Sequence, residues 1–193
     1  MPEIADINGV AIANVAKVDA VTKANIADIN GLTVPSTTPS LLLNNYTGAT
    51  AAYSVRRLNS QYTGACMRVR RDSDDVEQDI GFDSNGDLDT SAIATFVGSG
   101  NNGYVTKWYG QESSGGTGSG TDGEQSTEAS QPQIYNGSAV ITDNGKPALY
   151  PNGTSYFTSS FTITDGWTAT VVYNHNDEGS QYMFGSFNPN LKP

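Results

Sequence analysis

Cysteine and histidine are almost missing, with one of each in 193 residues. With Cys66 alone, no internal disulfide and no cysteine-built zinc site can form, and the residue reads as a small buried hydrophobe in a strand. His175 lies in the turn-like stretch Tyr-Asn-His-Asn-Asp-Glu-Gly, with no second histidine and no serine-nucleophile motif beside it, so a Ser-His-Asp triad has nothing to build on. Basic residues are scarce as well: ten Lys and Arg stand against twenty Asp and Glu, a formal charge of -10. That charge repels nucleic-acid phosphates and anionic membrane surfaces, and leaves neutral ligands such as sugars open. No apolar run approaches the roughly 20 residues of a membrane span, and no N-terminal stretch pairs a charged start with an apolar core. We therefore expect a soluble chain with no membrane insertion, made in a reducing cytosol. The Gly-Ser-rich stretch 112–130 lacks the Lys-Ser/Thr ending of a phosphate loop.

What is present favours an all-β class. Hydrophobic residues make up 36%, enough for one sandwich-sized domain with an appendage, and Gly, Thr, Ser, Asn and Tyr dominate over helix formers. The clearest signal is a hairpin. Ala65–Arg71 alternates apolar with basic residues, Val76–Phe82 alternates apolar with acidic ones, and Asp-Ser-Asp-Asp joins them. Closure around Ser73 and Asp74 sets Arg70 opposite Glu77, Arg68 opposite Asp79, Met67 opposite Ile80 and Val69 opposite Gln78. Cross-strand charge pairs contribute about 0.2–1 kcal/mol each, so this ladder fixes register more than it stabilises.

Around the hairpin, Leu41–Leu43 reads as an apolar strand or docking segment and Ala49–Leu58 as a short helix with Tyr53 and Leu58 facing in. Asp83, Asn85, Asp87 and Asp89 recur at alternate positions near Gly86, loosely like the oxygen ligands of a calcium loop, but no bidentate glutamate follows at the EF-hand spacing. The other reading is a turn at Asn85-Gly86 and a helix over Ser91–Val97, capped by Asp89 or Thr90 and stopped at Gly98. Beyond it, 104–111 alternates as a strand, with Tyr104, Thr106 and Trp108 on one face and Val105, Lys107 and Tyr109 on the other. Trp108, Tyr109 and Gln111 are its candidate ligand contacts, since an exposed aromatic face suits the C–H surface of a sugar ring; the alternative is that the aromatics are core and interface anchors. Glu112–Ser130 lacks apolar anchors and is expected to be a mobile surface loop. Short strands separated by Asn-Gly turns at Asn136, Asn144 and Asn152 follow, then a buried strand Trp-Thr-Ala-Thr-Val-Val-Tyr over 167–173 and one more strand over 181–187.

Residues 4–34 form an internal repeat. Segments starting at Ile4, Val15 and Ile26 align at a period of eleven, with Ile4, Ile7, Val10, Val15, Val18, Val21, Ile26, Ile29 and Leu32 at the apolar positions. A period of eleven is also that of a right-handed helical supercoil, but the Asn-Gly pairs at Asn8 and Asn30 favour short strands. The segment is too apolar for a solvated linker and too short to bury its own faces, so it needs a partner surface, either another chain or its own domain. Residues 35–40, with two prolines among Ser and Thr, form the linker, and the domain runs over 41–193.

The ordered motifs Ala-Tyr-Ser-Val-Arg-Arg-Leu, Tyr-Thr-Gly, the Arg-Val-Arg-Arg hairpin with its Asp-Ile-Gly return, Leu-Asp-Thr and the Trp-Tyr strand end resemble the opening of the α-L-arabinofuranosidase B catalytic domain. They are closer still to lectin-like domains of phage virion proteins with the same opening. The likeness covers about residues 41–153. It implies a concanavalin-like jelly-roll sandwich, which would continue beyond residue 193. Where the family has Tyr-Asp-Gln-Ser-Gly, this chain has Tyr109, Gly110, Gln111, Glu112 and Ser113. The N-terminal repeats likewise resemble those near the start of marine phage virion proteins. The implied function is a virion fibre or decoration component, attached to other virion proteins through residues 1–34, homo-oligomeric and on the fibre resemblance trimeric, and displaying a domain for a cell-surface glycan.

Two alternatives stand beside it: a polysaccharide-acting glycosidase of arabinofuranosidase type, and a purely architectural subunit. Glycoside hydrolysis needs two carboxylates roughly 5–9.5 Å apart. The acids in the matched region, Glu77, Asp79, Asp87 and Asp89, all have structural roles as pairs or caps, and the family's catalytic carboxylates lie beyond it. The reading therefore leans away from an enzyme and names no catalytic residue and no cofactor other than the calcium candidate.

Overall fold

The computed structural model describes residues 41–112, 121–161 and 168–174, together with six two-residue strands between positions 6 and 33. Among the described residues strands in antiparallel sheets predominate and helices are few, an all-β arrangement. In the arm, β1 (Asp6–Ile7) pairs with β2 (Val10–Ala11), β3 (Lys17–Val18) with β4 (Val21–Thr22), and β5 (Asp28–Ile29) with β6 (Leu32–Thr33). Each is a hairpin whose strands are separated by two residues, and the three share one register at the eleven-residue pitch. The expected strands are present. The Asn-Gly pairs between them, and the linker 35–40, lie outside the described residues.

The domain is built on β7 (Met67–Arg71), which pairs on one edge with β8 (Glu77–Ile80) and on the other with β9 (Asn102–Trp108). The β7–β8 register is the expected one in all four pairs, Met67–Ile80, Arg68–Asp79, Val69–Gln78 and Arg70–Glu77. On its far edge β9 takes β10 (Gly123–Glu124) at one end and β11 (Gln133–Asn136) at the other. Helix α2 (Thr90–Val97) packs on one face of this sheet and buries Ile93 and Val97. It starts where expected, with the Asp89 carboxylate accepting from the Ala92 N–H at 2.9 Å, an N-cap contribution of about 1 kcal/mol. It ends at Gly98, whose φ of 75° is one that residues with a Cβ rarely adopt. Between helix and sheet lies the core of Cys66, Met67, Val69, Ile80, Leu88, Ile93, Val97, Val105, Ile134 and Tyr135. The Cys66 thiol is fully buried, donates to the Ser54 carbonyl, and has its pKa pushed up by that burial. It is inert, as a core cysteine should be.

Several expectations change. Of the two readings of Leu41–Leu43 the strand does not form: the one-turn helix α1 (Leu42–Asn45) stands there, with the Leu43 N–H on the Leu58 carbonyl at 2.9 Å. No helix forms over 49–58. The backbone groups that would bond within it are drawn elsewhere: Gln111 N–H to Ala52 O, Leu88 N–H to Val55 O and Arg57 N–H to Gly86 O. Tyr53, Ser54 and Val55 have weak helix propensity, and tertiary hydrogen bonds override it. Within the presumed mobile loop, residues 121–130 are ordered, giving β10 and a 3-10 turn at Glu128–Ser130; residues 113–120 lie outside the described residues. Finally, residues 168–173 form no strand and are exposed, Val172 by 98%, because no described strand stands beside them to pair with. The strand expected over 181–187 lies outside the described residues.

The later Asn-Gly turns are as expected. Asn144 and Gly145, both at positive φ, join β12 (Thr142–Asp143) to β13 (Lys146–Pro147), and Gly137 and Gly153 also take positive φ. Gly103 is constrained differently. A Cβ there would lie 2.9 Å from Val97 Cγ2, 3.1 Å from Tyr135 Cβ and 3.2 Å from Val69 Cγ1, so α2 and β11 close on β9 only over a bare backbone. Gly103→Ala is expected to destabilise the domain by about 1–3 kcal/mol through overpacking, lowering the urea midpoint at constant slope. An unchanged midpoint would show that the helix can retreat.

Candidate functional site

The face of the sheet opposite α2 is charged. Alternation along β7 and β8 places Arg68 and Arg70 beside Glu77 and Asp79, and Lys107 and Glu124 extend the surface onto β9 and β10. All of these except Asp79, with Asp75, Thr106, Gln125, Ser126, Glu128 and Gln131, line a basin of about 410 Å³. Three cations and four carboxylates face it, so its charge is close to balanced, unlike that of the chain as a whole.

Each cation is held differently. Arg68 makes a bidentate pair with Asp79 at 2.7 and 2.9 Å. Arg70 is buried and bonds Asp75 Oδ1 at 2.6 Å and Gln131 Oε1 at 2.9 Å, with its guanidinium 5.4 Å from the centre of the Tyr104 ring. Lys107 reaches Glu124 Oε1 at 2.6 Å. The ladder expected from the alternation thus forms at Arg68–Asp79, but Arg70 turns from Glu77 to Asp75, which sits at φ 57° in the turn. The bonds from Arg68 hold the Asp79 carboxyl below the usual carboxylate range, with help from the Tyr109 hydroxyl, and raise the arginine in return. Tyr109 is raised by burial first and by its bond to Asp79 second. A depressed Asp79 is the opposite of what a general acid for glycoside cleavage needs.

The three candidate ligand contacts are engaged within the chain. Gln111 is fully buried. Its Nε2 donates to the Ser54 and Arg56 carbonyls at 2.9 and 3.1 Å, and its Oε1 accepts from the Leu58 N–H at 2.8 Å. Tyr109 is also buried, with its hydroxyl on Asp79 at 2.8 Å. Trp108 lies between Tyr53 and Phe157, ring centres 5.8 and 6.1 Å away, and its Nε1 is buried without a hydrogen-bond partner among the described residues. The two faces expected for this strand break at Thr106, where a register shift against β7 leaves Val105 and Thr106 both buried. Gly110, where the resembled family has aspartate, would drive a Cβ to 2.5 Å from Glu112 Oε2 and 2.6 Å from Thr121 Oγ1. A buried carboxylate just before β10, Asp122, accepts the Gly110 N–H at 3.0 Å.

The four calcium candidates are divided among other tasks. Asp83 accepts the N–H groups of Asp87 and Asn85, which lower its pKa and close the turn at Gly86. Asn85 takes part in that turn, Asp87 pairs with Arg56 at 3.4 Å, and Asp89 caps α2. Among the described residues no group of three His, Cys, Asp or Glu side chains could hold a metal ion. Asp83 and Asp87 instead edge a cleft of about 630 Å³ between α2 and the segment 138–147.

Sequence reasoning missed Asp122, Gln125 and Gln131, all buried. The available signal was the run Asp122-Gly-Glu-Gln125, which interrupts the Gly-Ser composition of its surroundings.

Two outcomes are expected. Gln111→Leu strands one N–H and two carbonyls and should cost about 3 kcal/mol or more by urea unfolding, whereas a mere ligand contact would leave the midpoint unmoved. Because the folded-state pKa of Asp79 is lowered, its contribution is present above the unfolded value of about 3.9 and is lost as pH falls through the folded one. Stability should therefore fall below about pH 4 more steeply in the wild type than in Asp79→Asn, and parallel curves would remove Asp79 from the acid transition. No protein-family model, curated protein or solved structure matches this chain.

Proposed function

We propose that this chain is a structural component of a phage particle, a fibre or decoration protein that attaches through residues 1–34 and displays the sheet domain outward. The observation that carries this reading is the arm: three hairpins of identical register, repeated every eleven residues, in which each strand is two residues long. An isolated two-stranded ribbon is marginal in water, so such an arm has a use only against something else. Strand addition to neighbouring virion proteins would satisfy its backbone edges several times over. The resemblance of both the arm and the domain opening to phage virion proteins supports the same reading, and a homotrimer is the assembly that the fibre likeness implies.

On this reading the domain belongs to a concanavalin-like jelly roll, and the exposed run Val171–Tyr173 is a segment that a further strand would cover. The surface offered to a cell-surface glycan is the charge-balanced basin on the open sheet face rather than the Trp108 strand end, whose side chains are already engaged. A chain lacking residues 1–34 should remain folded and yet fail to enter particles, read by light scattering and by its content in purified virions. Normal incorporation of the truncated chain would overturn the proposal.

A further inference from the structure

Strand β9 carries one residue more than β7 can pair. Arg68 faces Lys107 and Val69 faces Val105, so Thr106 between them is the extra residue of a bulge. With Lys107, the residue after it, Thr106 lines the basin on the open sheet face. It is only 9% exposed, and its Oγ1 is buried with no hydrogen-bond partner among the described residues. A hydroxyl left in that state is costly until something meets it. Bulges recur beside active sites because they re-aim a side chain in this way.

The charges around Thr106 are unevenly committed. Arg68 is given to Asp79, which lies outside the lining, Arg70 to Asp75 and Gln131, and Lys107 to Glu124. Two lining carboxylates are then left over. Glu77 makes no hydrogen bond or ion pair among the described residues and acts only through its field on Arg68. Glu128 stands 4.0 Å from Arg70 Nη1, which already holds Asp75 at 2.6 Å. A ligand entering the basin therefore meets three cations that are paired and two acids that are not.

That balance discriminates between classes of sugar. An acidic sugar brings a further carboxylate and finds no cation free to receive it. A neutral sugar leaves both acids as they are. An ammonium has three donors and no acceptor, the complement of two carboxylates. We propose that the basin takes a saccharide bearing a free amine, with the ammonium received by Glu77 and Glu128 and a neighbouring hydroxyl by Thr106. The inference rests on the glycan-displaying role proposed above and names the class of glycan.

The test is titration of the full-length chain, followed through the amide resonances of β7, β9 and β10, at about pH 6, where amines are protonated. The probes are a glucosamine trimer, its fully acetylated form and a galacturonic acid trimer. We expect the glucosamine trimer to bind at least tenfold more tightly than the other two. Glu77→Gln with Glu128→Gln should cost it about tenfold, while Asp87→Asn with Asp143→Asn, which removes the same charge outside the basin, should not. Thr106→Val should weaken binding and yet leave the urea midpoint unchanged or raised, because it deletes a hydroxyl with no partner in the chain. Equal losses from the two double variants would overturn the proposal by tracing the attraction to net charge, and a lowered midpoint in Thr106→Val would overturn it by showing the hydroxyl to be structural. Equal or tighter binding of the acetylated or acidic trimer in the basin would overturn the amine requirement and leave the glycan surface standing. If none of the three shifts the amides of these strands, the inference and the glycan reading of the basin fall together.

Discussion

Everything in the domain is set by the position of β7. It is hydrogen-bonded along both edges, to β8 and to β9, so its residues can leave the sheet only through its two faces. Met67 and Val69 go to one face and are fully buried under α2; Arg68 and Arg70 go to the other. A strand in that place with apolar residues on both faces would need cover on both. By giving one face to arginine, the sequence decides that α2 and the segment after Pro132 close a single core, and that the open face carries ions.

Those ions must then be satisfied, and the way they are satisfied orders chain that has little hydrophobicity of its own. Arg70 is the clearest case: being buried, it needs partners, and it takes them from the turn (Asp75) and from beyond the Gly-Ser stretch (Gln131). Gln131 in turn donates to the Gln125 carbonyl, and Gln125 to that of Tyr156. A relay of amides thus does for 121–131 what apolar anchors do elsewhere. Gln111 performs the same service on the opposite flank by tying 54–58 to the end of β9.

This division explains what could be read from the sequence. The β7–β8 register, the Asp89 cap, the Gly98 stop, the paired strands of the arm and the Asn144-Gly145 turn were legible because each is decided by residues close in the chain: alternation, a capping side chain, a turn dipeptide. The segment 49–58 was not, since its fate depends on Gly86, Leu88 and Gln111, which no local pattern connects to it. Residues 121–130 misled for the same reason. Their composition is that of a solvated loop, and only the buried guanidinium and the bare Gly110 amide, both distant in sequence, give their polar groups a place to go. At the candidate site the charges were legible and their partners were not: alternation sets Arg70 opposite Glu77 in register, while the positive φ of Asp75 brings a carboxylate closer.

The arm and the domain solve opposite problems. In the domain, polar side chains are drawn inward and must find partners there, so the cost of burial selects one arrangement. In the arm, two-residue strands leave little to bury, and the backbone ladders are too short to fix a neighbour by hydrogen bonds alone. The central repeat differs from both neighbours at Val15, Lys17, Val18, Asp19, Ala20 and Lys23, while all three keep Ala at 5, 16 and 27 and a branched apolar residue at 7, 18 and 29. The middle repeat thus keeps the spacing of its neighbours with less apolar surface to cover, since Lys23 stands where they have Ile12 and Val34.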